Sequence, residues 1–169
     1  MKNDCKDTVF ISDSPLGAGG YFNFESDFIE DNVRCIPMIA RFKLDACSIK
    51  LSLKQWSKMQ VEERNFVAEA DCSSEPNLAL YKSQLINIIL NRTGEIAKEL
   101  TVETEPEWAL QTEVPSIVGE QCKALQIEIS IKQWQQLYVL QRFALVKLSK
   151  SSHENRNLPL ALKEFGLIA

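Results

Sequence analysis

Ile49-Lys50-Leu51-Ser52-Leu53-Lys54-Gln55-Trp56 returns later in the chain as Ile127-Glu128-Ile129-Ser130-Ile131-Lys132-Gln133-Trp134. The correspondence reaches upstream to Pro37 and Ile39 against Pro115 and Ile117. Downstream it reaches Val61 and Arg64 against Val139 and Arg142, always at an offset of 78 residues and without a gap. Ten positions between Pro37 and Arg64 are identical, where average composition gives about two by chance. This implies two copies of one supersecondary unit, over about residues 33–70 and 114–148. A residue kept in both copies holds up the unit rather than performing a reaction done once. On that ground Pro37, Ile49, Ser52 and Trp56, with Pro115, Ile127, Ser130 and Trp134, are read as the structural core of the repeat.

Each copy reads as a helix, a short extended link and a second, capped helix. Pro37 suits a first helical turn, and Met38, Ile39, Phe42 and Ala46 follow at helical spacing. Ser52 with Gln55, and Ser130 with Gln133, have the capping-box spacing. The spacing predicts one helix carrying Leu53, Trp56, Met59 and Phe66 inward, and one running from Ile131 to Leu148. The latter is apolar nearly all round and therefore the expected centre of the fold.

Between the copies, Ser73-Ser74-Glu75-Pro76 opens a helix with a stripe of Leu78, Tyr81, Leu85, Ile88 and Ile89, stopped at Thr93-Gly94. Glu103 to Trp108 reads as an acidic connector. Residues 1–20 are an irregular lead-in rich in turn residues, and Phe22 and Phe24 lay aromatics on the core from an extended arm or helix entry. The expected fold is all-α: one helical domain over 21–169, in which the two copies pack against each other, the intervening helix and a short C-terminal helix from Leu158 to Phe165.

The 169 residues are 45% hydrophobic and 25% charged, a globular composition with room for a real core. A net charge of −4, with 19 basic residues scattered among 23 acidic ones, argues against a nucleic-acid partner. With no apolar run behind the first charges, neither a signal peptide nor a membrane span is expected, and the protein is placed in the cytoplasm. The five cysteines lie at wide, irregular gaps without a Cys-x-x-Cys, so reduced thiols are expected rather than a disulfide framework, zinc site or cluster.

No set of residues reads as catalytic, and the chain is not expected to be an enzyme or to hold a cofactor or metal. His153, the one histidine, lies in a polar loop, and no serine occupies a Gly-x-Ser-x-Gly turn. Cys35 is the candidate reactive thiol, because Arg34, Arg41 and Lys43 favour its thiolate. Arg41, Lys43, Arg142 and Lys147 fall in apolar surroundings, and buried charges require partners; Asp45, Glu25 and Asp27 are available to Arg41, Arg142 and Lys147.

Five strings, Phe22-Asn23-Phe24-Glu25, Arg34-Cys35-Ile36-Pro37-Met38, Arg41-Phe42-Lys43-Leu44-Asp45, Gln141-Arg142-Phe143-Ala144-Leu145-Val146-Lys147-Leu148 and His153-Glu154-Asn155, resemble one family over about Tyr21 to Leu167. It is the nitrate-reductase-associated protein family, found largely in cyanobacteria. The resemblance implies a cytoplasmic accessory protein, a maturation or activity factor for assimilatory nitrate reductase that acts by contact with the reductase polypeptide. That enzyme carries a molybdenum–pterin cofactor and an iron–sulfur cluster. The matching polar positions Arg41, Lys43, Asp45, Arg142, Lys147, His153, Glu154 and Asn155 are then candidates for the partner-binding surface. Two alternatives stand beside this reading. One is a thiol-based redox or cluster- and cofactor-delivery factor using Cys35. The other is a small-molecule-sensing regulator of nitrogen assimilation, with a pocket between the two copies.

Overall fold

A computed structural model describes residues 21–27, 35–101, 105–150 and 156–168. The first copy forms α1 (Met38–Ala46), the short strand β1 (Ile49–Lys50), α2 (Leu53–Lys58) and α3 (Val61–Glu69). The second forms α5 (Ser116–Ala124), a link without regular structure, α6 (Ile131–Gln136) and α7 (Val139–Lys150). Between them run α4 (Glu75–Thr93), β2 (Lys98–Glu99) and a 3-10 turn at Glu107–Ala109; α8 (Leu158–Glu164) follows α7. Among the described residues the fold is mostly helical, an all-α fold with one two-residue ladder, in which β1 pairs antiparallel with β2.

Matching positions of the two segments carry the same local signals. Pro37 and Pro115 precede α1 and α5 with φ −56°, ψ 150° and φ −53°, ψ 135°. Ser52 Oγ accepts the Gln55 amide (3.2 Å) and Ser130 Oγ that of Gln133 (3.3 Å). Each glutamine returns Oε1 to the serine amide, which satisfies two amides of the first turn. Both first helices end at a non-glycine residue in the left-handed region, Ser48 and Gln126, each at φ 60°.

The long second helices expected from periodicity are each broken once. Met59 and Leu137 turn extended (φ −72°, ψ 148°; φ −70°, ψ 143°) and bury their side chains. The chain then restarts with a fresh cap: Gln60 donates its amide to Glu63 Oε2 (2.8 Å), and Tyr138 to Gln141 Oε1 (2.9 Å). The break points Leu53 and Ile131 outward, although the unbroken pattern placed them inside. The period alone does not show these breaks, because Met59 and Leu137 are apolar residues at helical spacing that are buried although their backbone is extended.

α1 is the wall between two apolar clusters. Its Met38, Ile39 and Phe42 join Val118, Trp134, Phe143, Ala144 and Leu148 on one side. Its Ala40 and Leu44 join Ile49, Trp56, Val67, Tyr81, Leu85 and Ile89 on the other. Trp56 and Trp134 are both buried, one in each cluster. Phe42, Trp108 and Phe143 meet through their rings, with centroids 5.2 to 6.0 Å apart. α7 is buried on nearly every side from Leu140 to Ser149, as its composition requires. The intervening helix α4 faces its Tyr81-Leu85-Ile89 stripe inward and stops at Gly94, whose φ of 70° a glycine adopts without strain. The aromatics of the N-terminal arm are fixed by α8: Glu164 accepts the amides of Asn23 and Phe24, both at 2.8 Å, and Phe22 packs on Phe165.

Candidate functional site: a cationic groove between α1 and α7

Arg41 and Asp45 are four residues apart on α1 and so share one face of it. On that face opens a groove of about 430 Å³. Leu44, Ile36, Ile49, Leu51, Leu53 and Leu100 supply apolar surface, and Cys35 sits at its edge. Lys50 from β1 and Lys147 from α7 add two cations to Arg41, against the one carboxylate of Asp45.

The charges are held in place. Lys147 Nζ lies 2.7 Å from Asp45 Oδ2 and 5.1 Å from the centre of the Phe143 ring, so an ion pair and a cation–π contact fix the same ammonium. Each partner keeps about a third of its side chain exposed, at 32%. Arg41 donates from Nε to the Ile36 carbonyl at 3.0 Å. Beneath them, Glu25 is buried and accepts the Met38 amide at 2.8 Å and the Phe22 amide at 3.2 Å. It therefore caps α1, whose own N-cap, Pro37, has no side-chain oxygen. Burial pushes the Glu25 carboxyl up to about 7, against the two amides and Arg41, which favour its charged form; nearby Glu164 adds to the rise.

The remaining sequence candidates fall elsewhere. Lys43, predicted for a partner surface, is 7% exposed and reaches the other way. Its Nζ donates to the carbonyls of Ala68 (2.5 Å) and Ala70 (2.8 Å), which closes the C-terminal end of α3. Burial lowers its pKa, opposed by Cys72, Asp71 and Glu69. Arg142, also predicted for the surface, is 3% exposed and donates from Nε to the Trp108 carbonyl at 3.1 Å. Both placements correct the expectation of a surface role, and both have the same cause: helix ends and connector turns leave buried carbonyls that only a long cationic side chain can reach. His153, Glu154 and Asn155 lie outside the described residues.

Among the described residues, Cys35, Cys47, Cys72 and Cys122 are free thiols, and no group of His, Cys, Asp and Glu could hold a metal ion. Burial raises the pKa of Cys47 to about 11 and raises Cys72 and Cys122 as well, which keeps all three protonated at neutral pH. Lys50 and Leu100 belong to the groove but are not marked by the sequence reading, and Leu53, expected to face the core, lines the groove instead. Lys50 had a legible signal: it is the one charged residue in the link of its copy and is replaced by Glu128 in the other.

The fold and the groove define a small helical protein with a charged, apolar-floored surface cleft. Its family is shown by comparison: residues 21–165 match the model of the conserved nitrate reductase-associated protein family, and the chain belongs to that family. Comparison with curated proteins and with solved structures gives no match. No helix among the described residues is long and apolar enough to cross a membrane.

Proposed function

We propose that this protein is a cytoplasmic, non-catalytic accessory protein that binds the polypeptide of assimilatory molybdenum-cofactor nitrate reductase through the α1–α7 groove and promotes its maturation or activity. The carrying observation is the groove itself. Three cations and one carboxylate surround six apolar side chains, in a protein whose net charge is negative. That pattern suits a segment of another protein bearing apolar anchors and acidic residues. Because Lys147 is already oriented by Asp45 and Phe143, it loses little side-chain entropy when it meets an incoming carboxylate. Membership of the nitrate reductase-associated family points to the reductase as the source of that segment. Tighter binding to the incompletely assembled enzyme than to the finished one would hold it open for cofactor insertion.

The test is co-purification of the full chain with cofactor-free reductase, comparing the native protein with an Arg41→Glu/Lys147→Glu variant. Nitrate reduction is measured in parallel in cells lacking the protein. Retention by the native chain, loss by the variant and low activity without the protein are expected. Full nitrate reduction in its absence would refute the proposal.

A second reading draws on Cys35, which shares the groove with Arg41, Lys50 and Lys147. Redox exchange or delivery of a metal cluster would use this sulfur as nucleophile or ligand. A Cys35→Ser variant that restores full nitrate reduction would remove this reading and leave the contact role standing.

A further inference from the structure

β1 is paired and, among the described residues, its twin is not. In the first copy, β2 lies antiparallel along Ile49–Lys50, with Lys98 opposite Lys50, and the Leu100 amide donates to the Ser48 carbonyl at 2.8 Å. Antiparallel bonding alternates along a ladder, so the Ser48 carbonyl and both backbone groups of Lys50 face β2. At an offset of 78 residues the same groups belong to Gln126 and Glu128. The link that carries them is set up alike. Gln126 has the φ of 60° found at Ser48, and Ser130 caps the next helix as Ser52 does. The Ile127 amide is turned inward to the Cys122 carbonyl at 2.8 Å, which leaves its neighbours for the outer edge. Among the described residues, no backbone partner meets Glu128 or the Gln126 carbonyl.

Burial shows the same asymmetry. Ile49 and Leu51 are buried, whereas their counterparts Ile127 and Ile129 remain half-exposed. Leu125 and Ile131 flank the open link at 41% and 37% exposure. An unpaired edge with apolar neighbours is a template for an added strand.

We infer that the Gln126–Ile129 edge accepts one extended segment of a partner protein, laid antiparallel as β2 lies on β1, with a basic residue opposite Glu128. The first copy supplies the pattern of the occupant. Ala97-Lys98-Glu99-Leu100 puts a lysine at the central pairing position and a leucine two residues on. In that copy the lysine faces Lys50, a like-charge pair directly across the ladder. At the second edge a basic residue faces Glu128, an opposite-charge pair that stabilises the same geometry. The single carboxylate of Glu128 on this edge therefore favours a basic, apolar-flanked strand, whereas the α1–α7 groove suits an acidic one. This surface is independent of the function proposed above.

The probe is a synthetic peptide with the sequence Glu95–Thr101, added to the full-length protein and followed by amide NMR shifts and amide hydrogen exchange. Shifts centred on residues 125–131, slowed exchange at Glu128 and millimolar affinity are expected. Methylation of the peptide's backbone nitrogens, or glutamate in place of its lysine, should weaken binding at least threefold. With the Glu128→Lys protein, the glutamate peptide should bind better than the lysine peptide. Shifts confined to the groove, or none at several millimolar, would overturn the inference. So would protection of residues 126–128 that depends on protein concentration without peptide, because the edge would then be closed by a second copy of the chain.

Discussion

Lys147 Nζ and Asp45 Oδ2, on α7 and α1, are 2.7 Å apart at the mouth of the groove. Their role is positional. A pair about one-third exposed contributes at most about 1 kcal/mol to stability, but it fixes the ammonium beside Arg41 and Lys50. Lys147→Met should therefore lower the melting temperature by no more than about 3 °C while reducing co-purification with the reductase. A large loss of stability with unchanged retention would reverse that assignment.

Lys43 should behave in the opposite way. It ties α1 to the last carbonyls of α3, away from the groove. Lys43→Met leaves the Ala68 and Ala70 carbonyls without their donor and should cost about 2 to 3 kcal/mol in denaturant unfolding. The folded fraction should bind its partner normally.

The two repeat tryptophans differ in one hydrogen bond. Trp134 Nε1 donates to the Leu110 carbonyl at 2.7 Å, whereas Trp56 Nε1 is buried without a partner among the described residues. Phenylalanine removes similar apolar surface at both sites, but only Trp134→Phe strands an acceptor. It should be less stable than Trp56→Phe by about 1 to 2 kcal/mol, measured by urea unfolding.

Glu25 makes stability depend on pH. Its carboxyl titrates near 7 in the folded protein against an ordinary value of 4.5, so the native state holds more protons than the unfolded chain between those values. Stability from this group is fully present below about 4.5, falls as pH rises through the window and is lost above about 7, a swing of the order of 3 kcal/mol. Glu25→Gln should flatten the fall in melting temperature between pH 5 and 7 relative to the native protein. An identical slope in both would show that the carboxylate is not responsible.

Ser48 and Gln126 hold a left-handed backbone at φ 60° without being glycine. Gly at either position should relieve strain of about 0.5 to 1 kcal/mol. Gln126→Gly and Ser48→Gly should each raise the denaturation midpoint slightly, and their effects should add because the sites lie in separate copies.

Much of the fold was legible because its signals act within a few residues. The Ser52–Gln55 and Ser130–Gln133 boxes, the two prolines and Gly94 announce their helix ends in the sequence. The breaks at Met59 and Leu137 were hidden, since their caps begin with Gln60 and Tyr138, which do not advertise an N-terminus. The ends at Ser48 and Gln126 carry no glycine to mark them. The pairing of β1 with β2 was equally silent, because each strand is two residues long and neither shows a period.

By itself the sequence determined the helical class and the family, since these rest on hydrogen bonds to near neighbours and on an ordered set of residues. Which charges face outward was decided only by the tertiary structure. Lys43 and Lys147 are four-carbon ammoniums that both lie between apolar residues in the sequence, but Lys43 turns to the buried end of α3 and Lys147 to the open groove. Nothing in either side chain separates them. The difference lies in whether the nearest unsatisfied carbonyl or carboxylate, brought close by packing from elsewhere in the chain, sits inside the protein or at its surface.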